Sequence, residues 1–179
     1  MKGAKVALEE EFRYGSDAAE LYYQHYDMGL VISPSDYFDL GAFYRLAYEL
    51  RKGKFMEESR PHIDGTVKFD LYGFAIDDRN RFEYRIYRYQ DENCRYRNKV
   101  TLKLPWKFTP LEIRPYFSNE IFVRLDDSAV FNQNRFSSGL GMQFAGFLKG
   151  EVYYMLKSDK NRNKWTDANI LGLKLKAVF

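Results

Sequence analysis

The sequence predicts an all-β protein, an antiparallel up-and-down transmembrane β-barrel of about ten strands. Apolar and polar residues alternate with a period of two along most of the chain, which is the pattern of strands with two different faces. The chain of 179 residues also contains 15 Tyr and 15 Phe, and aromatic residues favour strands. No stretch approaches the roughly 18 consecutive apolar residues that a membrane helix needs. A membrane-spanning form of this chain would therefore cross with strands.

The first three runs of alternation define the pattern. The third run is the clearest, because seven apolar residues alternate strictly with polar or small ones. Charged and small residues, such as Glu9, Asp27 and Arg45, occupy the opposite face. The residues predicted to face outwards are Val6, Leu8, Phe12 and Tyr14, then Tyr22, Tyr26, Met28, Leu30 and Ile32, and then Phe38, Leu40, Ala42, Tyr44, Leu46, Tyr48 and Leu50.

Seven further runs follow, each near the roughly 9 to 11 residues that cross a bilayer as a tilted strand. No linker divides the chain, so residues 1–179 are predicted to form a single outer-membrane β-barrel domain. Longer polar loops are expected at one end, notably Arg51 to Pro61, Leu125 to Gln133 and Ser158 to Asn169. The outward residues of the seven runs begin with Ile63, Phe82, Tyr96, Ile113, Phe136, Leu148 and Leu171.

Alternation alone does not decide which face is outside, since a soluble lipid-binding β-barrel gives the same string with the faces exchanged. Small residues and opposite charges mix on the polar face, which suits a crowded interior. The aromatic residues Tyr22, Tyr96 and Trp106 fall near strand ends, where lipid-interface aromatics occur. The chain also finishes on an outward aromatic, Phe179. We therefore expect the apolar face to contact lipid, and the soluble lipid-binding barrel is the alternative.

An inward polar face would form a charged, largely side-chain-filled lumen. Acidic residues dominate this face in the first four runs and basic residues in the last six, so an acidic wall is expected to meet a basic wall through ion pairs. The barrel would then be structural or a narrow pore. The predicted lumen ion-pair network consists of Glu9, Glu11, Asp39, Arg45, Arg81, Glu83, Arg85, Arg95, Arg97, Glu120 and Arg124.

Two His-x-Asp pairs are the catalytic candidates. Residues two apart on a strand share a face, so His25 lies beside Asp27, and His62 beside Asp64. A hydrolase with a rim pair of His62 and Asp64 is thus an alternative, although no serine nucleophile motif accompanies it. A non-enzymatic barrel is the preferred interpretation. No cofactor or metal centre is predicted, and the single Cys94 excludes an intramolecular disulfide and a cysteine-based zinc cluster.

The location and partners follow from the barrel prediction. The barrel pattern predicts the bacterial outer membrane. The first residues, MKGAKVALEEEF, lack an apolar run followed by a small-residue cleavage site, which for an exported protein predicts the mature form. The expected partners are outer-membrane lipid and the barrel-assembly machinery, which would read the C-terminal strand ending at Phe179. A net charge of only +3 gives no nucleic-acid surface. Oligomers are left open. The outward polar residues Asn98, Asn119 and Ser138 indicate a lipid-interface position or a shift in register, and the alternative is a seam for self-association or for a partner protein.

The C-terminal third carries a family resemblance. The segments RPYFSNEIFVRLDD, FNQNRFSSGLGMQF, LKGEVYYML and LGLKLKAVF lie between Arg114 and Phe179. Together they resemble the C-terminal half of a family of small outer-membrane barrels described as domain of unknown function 2490. The N-terminal part is similar only in its strand rhythm. The resemblance implies the fold and the membrane location, and it implies no catalytic residues.

Overall fold

The computed structural model describes residues 2–126, 128–161 and 164–179, with the backbone alone for Lys2 and Asn161. In this described part of the chain, ten strands follow one another. Among the described residues, no helix is long and apolar enough to cross a membrane. The strands are β1 (Lys2–Gly15), β2 (Glu20–Ser35), β3 (Phe38–Arg51), β4 (Lys54–Leu71), β5 (Phe74–Tyr87), β6 (Asn93–Lys103), β7 (Arg114–Leu125), β8 (Ala129–Ala145), β9 (Leu148–Asn161) and β10 (Lys164–Val178).

The strands form one closed barrel in chain order. Each strand pairs antiparallel with its neighbours in the sequence, and β1 closes the ring by pairing with β10. The Val6 and Phe179 backbones complete this seam, because each amide donates to the other's carbonyl at 3.0 and 2.9 Å. Closure leaves no edge strand with unpaired backbone groups. The prediction of an all-β, antiparallel up-and-down barrel is therefore confirmed.

The two faces of the sheet are sorted as the alternation predicts. Large apolar side chains point outwards and remain exposed, as for Met28 at 62% and Phe82 at 52%. Most buried side chains are polar or charged, including Glu11, Arg45 and Glu83. A soluble lipid-binding barrel would need its apolar rows to line the interior. That alternative is wrong, because the apolar rows lie on the outside.

The connections at the end opposite the chain termini are shorter than the sequence predicts. Two-residue turns join β3 to β4 and β4 to β5, and Lys52, Gly53, Tyr72 and Gly73 all have positive φ angles, as this hairpin turn requires. The longest connection, residues 104–113, lies at the end that holds the chain termini. The prediction of longer loops at the opposite end is wrong, because β4, β8 and β10 extend into the segments taken as loops.

A bulge in β2 turns one predicted outward residue into the barrel. Arg13 pairs with Tyr23 and Tyr14 with Leu21, so Tyr22 is an extra residue on its strand. The Tyr22 ring packs against an inner cluster of Tyr116, Tyr153, Met155 and Ile170. The prediction of Tyr22 as a lipid-interface aromatic is therefore wrong.

The other three predicted interface aromatics lie on the outer face or at its margin. Tyr96 points outwards, where its ring packs against Phe82 with centroids 5.1 Å apart. Trp106 and Phe179 are 57% and 63% exposed at the end that holds the chain termini. Phe179 also stacks on Phe147 at 5.3 Å.

Polar residues interrupt the outer face on β5 to β8, and most of them bond to one another. Asn98 donates to Asp78 at 2.5 Å, while Asn119 and Asn134 exchange hydrogen bonds, the shorter being 3.0 Å. An unsatisfied polar group in hydrocarbon costs several kcal/mol, and mutual pairing reduces that cost. Self-association through this strip stays a prediction.

Candidate functional site: the charged lumen

Glu83 is the centre of the lumen. Its side chain is fully buried and accepts hydrogen bonds from Arg95 at 2.6 Å and from Arg97 at 2.5 Å. The guanidinium groups of Arg81 and Arg60 lie 3.7 and 4.0 Å from the same carboxylate. One negative charge therefore holds four positive ones together.

Two more carboxylates extend this cluster along the wall. Glu120 accepts from Arg97 at 2.6 Å and from Arg79 at 2.7 Å. Glu58 accepts from Arg85 at 2.6 Å and ion-pairs with Arg60 at 2.9 Å. Glu58, Arg60 and Arg79 were not among the predicted network residues. Glu58 and Arg60 fall in a segment that reads as a loop, because both faces of that segment are polar.

Phe122 is an aromatic residue that lies on the charged face. It is completely buried, and the guanidinium carbons of Arg95, Arg97 and Arg135 lie 5.0, 4.7 and 4.4 Å from its ring centroid. Stacking of Arg on an aromatic face is worth about 0.5 to 2 kcal/mol per contact. Phe122 therefore orders three cations that would otherwise repel one another.

The acidic side of the lumen is built around Arg45. This residue donates to Asp27 at 2.5 Å and to Glu9 at 3.3 Å, and the Glu9 carboxylate lies 3.1 Å from His25 Nε2. Glu9, His25 and Asp27 offer ligand atoms within 4.8 Å of one another, a spacing that suits a metal ion. Arg45 bonds to both carboxylates, so the group fits an ion-pair network better than a metal centre.

His62 lies in the middle of the barrel. Its ring stacks on Phe43 with centroids 5.1 Å apart, and its Nε2 is 3.5 Å from Asp27 and 3.9 Å from Asp64. Asp64 is engaged by Arg81 at 2.6 Å. Both His62 and Asp64 are buried. The prediction that this pair lies at an outer rim is wrong, and no observation favours the rim hydrolase.

The ion pairs run around the wall and do not cross the lumen. Among the described residues, each lumen pair within 4.0 Å joins one strand to itself, to its neighbour or to the next strand but one, as for Arg45 with Glu9 and Arg79 with Glu120. The sequence predicts two opposite walls that meet, and that arrangement is wrong. Neighbouring strands bring charges together at the shorter distances.

Two predicted network residues lie apart from the central cluster. Asp39 binds Lys68 at 2.8 Å and Ser33 at 2.7 Å near the end that holds the termini. Arg124 pairs with Asp126 at 3.0 Å and has a half-exposed side chain. Arg124 is therefore wrongly placed in the lumen network. The other nine predicted residues lie in the ion-paired interior or at its upper edge.

The described side chains leave at least two spaces inside the barrel. The lower one, of about 30 Å³, lies among Glu9, Lys174 and Tyr116, and it has room for about one water molecule. The upper one, of about 260 Å³, is called the cup and opens towards the end opposite the termini, beside Arg51 and Lys160. Arg13, Arg45 and Arg97 line both spaces, so charged side chains lie between the lower space and the cup.

The Tyr153 side chain packs over two positions of the lumen wall that carry no side chain, Gly172 and Gly139. A Cβ atom on Gly172 would overlap the Tyr153 ring, and one on Gly139 would come within 2.7 Å of Tyr153 Cβ. The Tyr153 hydroxyl donates to Glu11 and accepts from Arg13 at 3.2 Å. These glycines therefore let a large ring reach the ion-pair network.

Comparison with solved structures places the fold among bacterial barrels. The NanC porin aligns with a TM-score of 0.54 at 8% identity, over 96% of this chain and 98% of that one. The KdgM porin aligns at 0.51 and 10% identity, over 98% and 99% of the two chains. A bacterial polysaccharide outer membrane secretin aligns at 0.51 and 7% identity, over 98% of each.

Sequence comparison gives one family. Residues 2–168 match the family described as "Protein of unknown function (DUF2490)". Among curated proteins, no sequence matches significantly.

Proposed function

Because the chain belongs to the family of proteins of unknown function DUF2490 and forms a closed ten-strand barrel, we propose that it is a bacterial outer-membrane β-barrel with a lumen filled by ion-paired side chains. In its resting form this barrel is structural and closed to ion flow. The observation that carries the proposal is the pairing of an apolar outside with a charged, buried inside. Outer-membrane lipid is the proposed partner, and the assembly machinery reads the strand that ends at Phe179.

The outer surface supports a lipid environment. Leu30, Phe82 and Tyr154 are each more than half exposed on three well-separated strands. Monomeric soluble proteins rarely expose contiguous apolar patches beyond a few hundred Å². Lipid would cover these apolar side chains, whereas water would leave them exposed.

The interior supports a closed barrel over an open pore. A porin keeps a water-filled channel, whereas a ten-strand barrel has little more width than its own side chains fill. The side chains of the cluster around Glu83 fill part of that width, and the space below the cup, of about 30 Å³, has room for little water. Ion flow would require these paired groups to separate.

The location is tested by charge placed on the outer face. Met28→Arg puts a cation in the middle of the apolar surface, where Met28 is 62% exposed, and we expect it to lose about 2–4 kcal/mol of unfolding free energy in lipid vesicles. Tyr72→Arg is the control, since Tyr72 lies in a turn and is 92% exposed. The loss of unfolding free energy in Tyr72→Arg should stay under about 1 kcal/mol. Urea titration followed by tryptophan fluorescence measures both.

The wild-type chain gives the companion result. Refolded in detergent, it should migrate faster on a gel before heating than after it, as membrane barrels do. A chain that stays monodisperse without detergent, or equal losses in the two Arg variants, would contradict the proposal.

A further inference from the structure

The cup carries an imbalance of charge. Ten of the side chains that line it are Arg or Lys, and two, Glu49 and Asp159, are acidic. Eight carboxylates lie within 4.0 Å of these ten cations among the described residues, because Glu58 and Glu83 each serve more than one. Some of the eight also bind cations elsewhere, since Glu120 contacts Arg79. The cup therefore has at least two positive charges in excess.

Two cations account for that excess. Neither Arg135 nor Lys160 has a carboxylate within 4.0 Å in the described part of the chain; their contacts are to aromatic rings. Arg135 Nε is buried with no hydrogen-bond partner, and the buried Tyr22 hydroxyl is likewise unpartnered. A buried donor left without a partner costs about 1–3 kcal/mol. Both residues line the cup, so an oxyanion bound there would lie beside two residues with unpartnered donors.

Arg135 is also fixed in place. Its guanidinium carbon lies 4.4 Å from the centroid of Phe122, which is completely buried. A planar guanidinium presents paired N–H donors that match the oxygens of phosphate or carboxylate. A donor group held by packing loses less entropy when it binds a ligand. The geometry is therefore prepared for an oxyanion.

We propose that the cup binds a small molecule that carries a phosphate monoester. A phosphate monoester has a charge of about −1.5 to −2 at neutral pH, which matches an excess of two positive charges better than a single carboxylate does. The volume of about 260 Å³ is at the small end for ligand sites and suits one sugar-sized group. The phosphate comes from a soluble phosphorylated sugar or from a lipid headgroup.

Calorimetry on the refolded barrel in a zwitterionic detergent tests the proposal. Glucose 6-phosphate should bind, glucuronate should bind about tenfold more weakly, and glucose should give no heat. Arg135→Gln should weaken glucose 6-phosphate binding by about tenfold or more, since a hydrogen bond to a charged group is lost. Arg88→Gln is the control, because its side chain lies at the same end but is 82% exposed outside the cup; it should bind as the wild type does.

Further measurements identify the source of the phosphate and decide whether the proposal fails. If glucose 6-phosphate does not bind but phosphatidic acid in nanodiscs does, with the same loss in Arg135→Gln, the ligand is a lipid headgroup. Should Arg135→Gln fail to fold, Lys160→Gln takes its place. Tight glucuronate binding, or no phosphate binding by a barrel that shows its heat-dependent gel shift, overturns the proposal and leaves the outer-membrane assignment intact.

Discussion

Glu83→Gln is expected to cost about 3–5 kcal/mol of unfolding free energy and to unblock the lumen, because removing one partner of a buried ion pair leaves the others uncompensated. Four guanidinium groups, those of Arg60, Arg81, Arg95 and Arg97, lie within 4.0 Å of this carboxylate. The amide of glutamine keeps the shape of glutamate and removes its charge. The cations would then repel one another and move apart.

Two measurements on Glu83→Gln follow from this. Urea titration in lipid vesicles gives the loss of stability, and planar-bilayer recording should show brief conducting steps in the variant and none in the wild type. Glu49→Gln is the matched control, since Glu49 pairs with a partly exposed Arg51 at 2.9 Å and such surface pairs are worth about 0–1 kcal/mol. If the two variants lose equal stability, Glu83 does not hold the central cluster.

Gly172→Val is expected to lower the stability of the barrel about as much as Glu83→Gln does. Added side-chain atoms at Gly172 collide with the Tyr153 ring, which the Glu11 and Arg13 contacts hold in place. Overpacking of a filled interior costs about 1–3 kcal/mol and sometimes more, and here it also breaks buried hydrogen bonds. We expect a loss of about 3 kcal/mol or more, measured as reduced folded yield and a lower urea midpoint in detergent.

Gly141→Val serves as the matched control for Gly172→Val. Gly141 also faces inwards, but the nearest atom to its added Cβ is the Arg114 carbonyl oxygen at 3.7 Å, an ordinary contact. The double variant Gly172→Val with Tyr153→Ala removes the colliding ring and should recover part of the folded yield. Equal yields for Gly172→Val and Gly141→Val would show that the Tyr153 ring moves away freely.

The strand count and the identity of the outer face could be read from the sequence because the rows on that face are mostly apolar and alternate with polar or small residues. Seven residues from Phe38 to Leu50 alternate without exception, and all lie on the outer side of β3. The same reasoning did not predict the strand bounds at the end of the barrel opposite the chain termini. Above the apolar belt both faces are polar, so the period of two disappears although β4 continues through Glu58.

The details of the lumen could not be read in the same way. Tyr22 turns inwards through a one-residue bulge, and a single extra residue leaves no mark on composition. Phe122 lies among guanidinium groups, a position that hydrophobicity alone assigns to the wrong face. Which acid meets which base depends on the stagger between strands. The sequence therefore predicts the charges of the lumen but not their partners.

The seam between β1 and β10 has a consequence for how the chain matures. The two strands that meet there are the farthest apart in the sequence, so their contacts carry the largest loop-closure cost in the molecule. Until β10 arrives, the sheet has two open margins of unpaired amides and carbonyls, which hydrocarbon cannot hydrate. The pairing of β10 with β1 removes both margins in one step, so the barrel offers hydrocarbon no open sheet edge once this seam has formed.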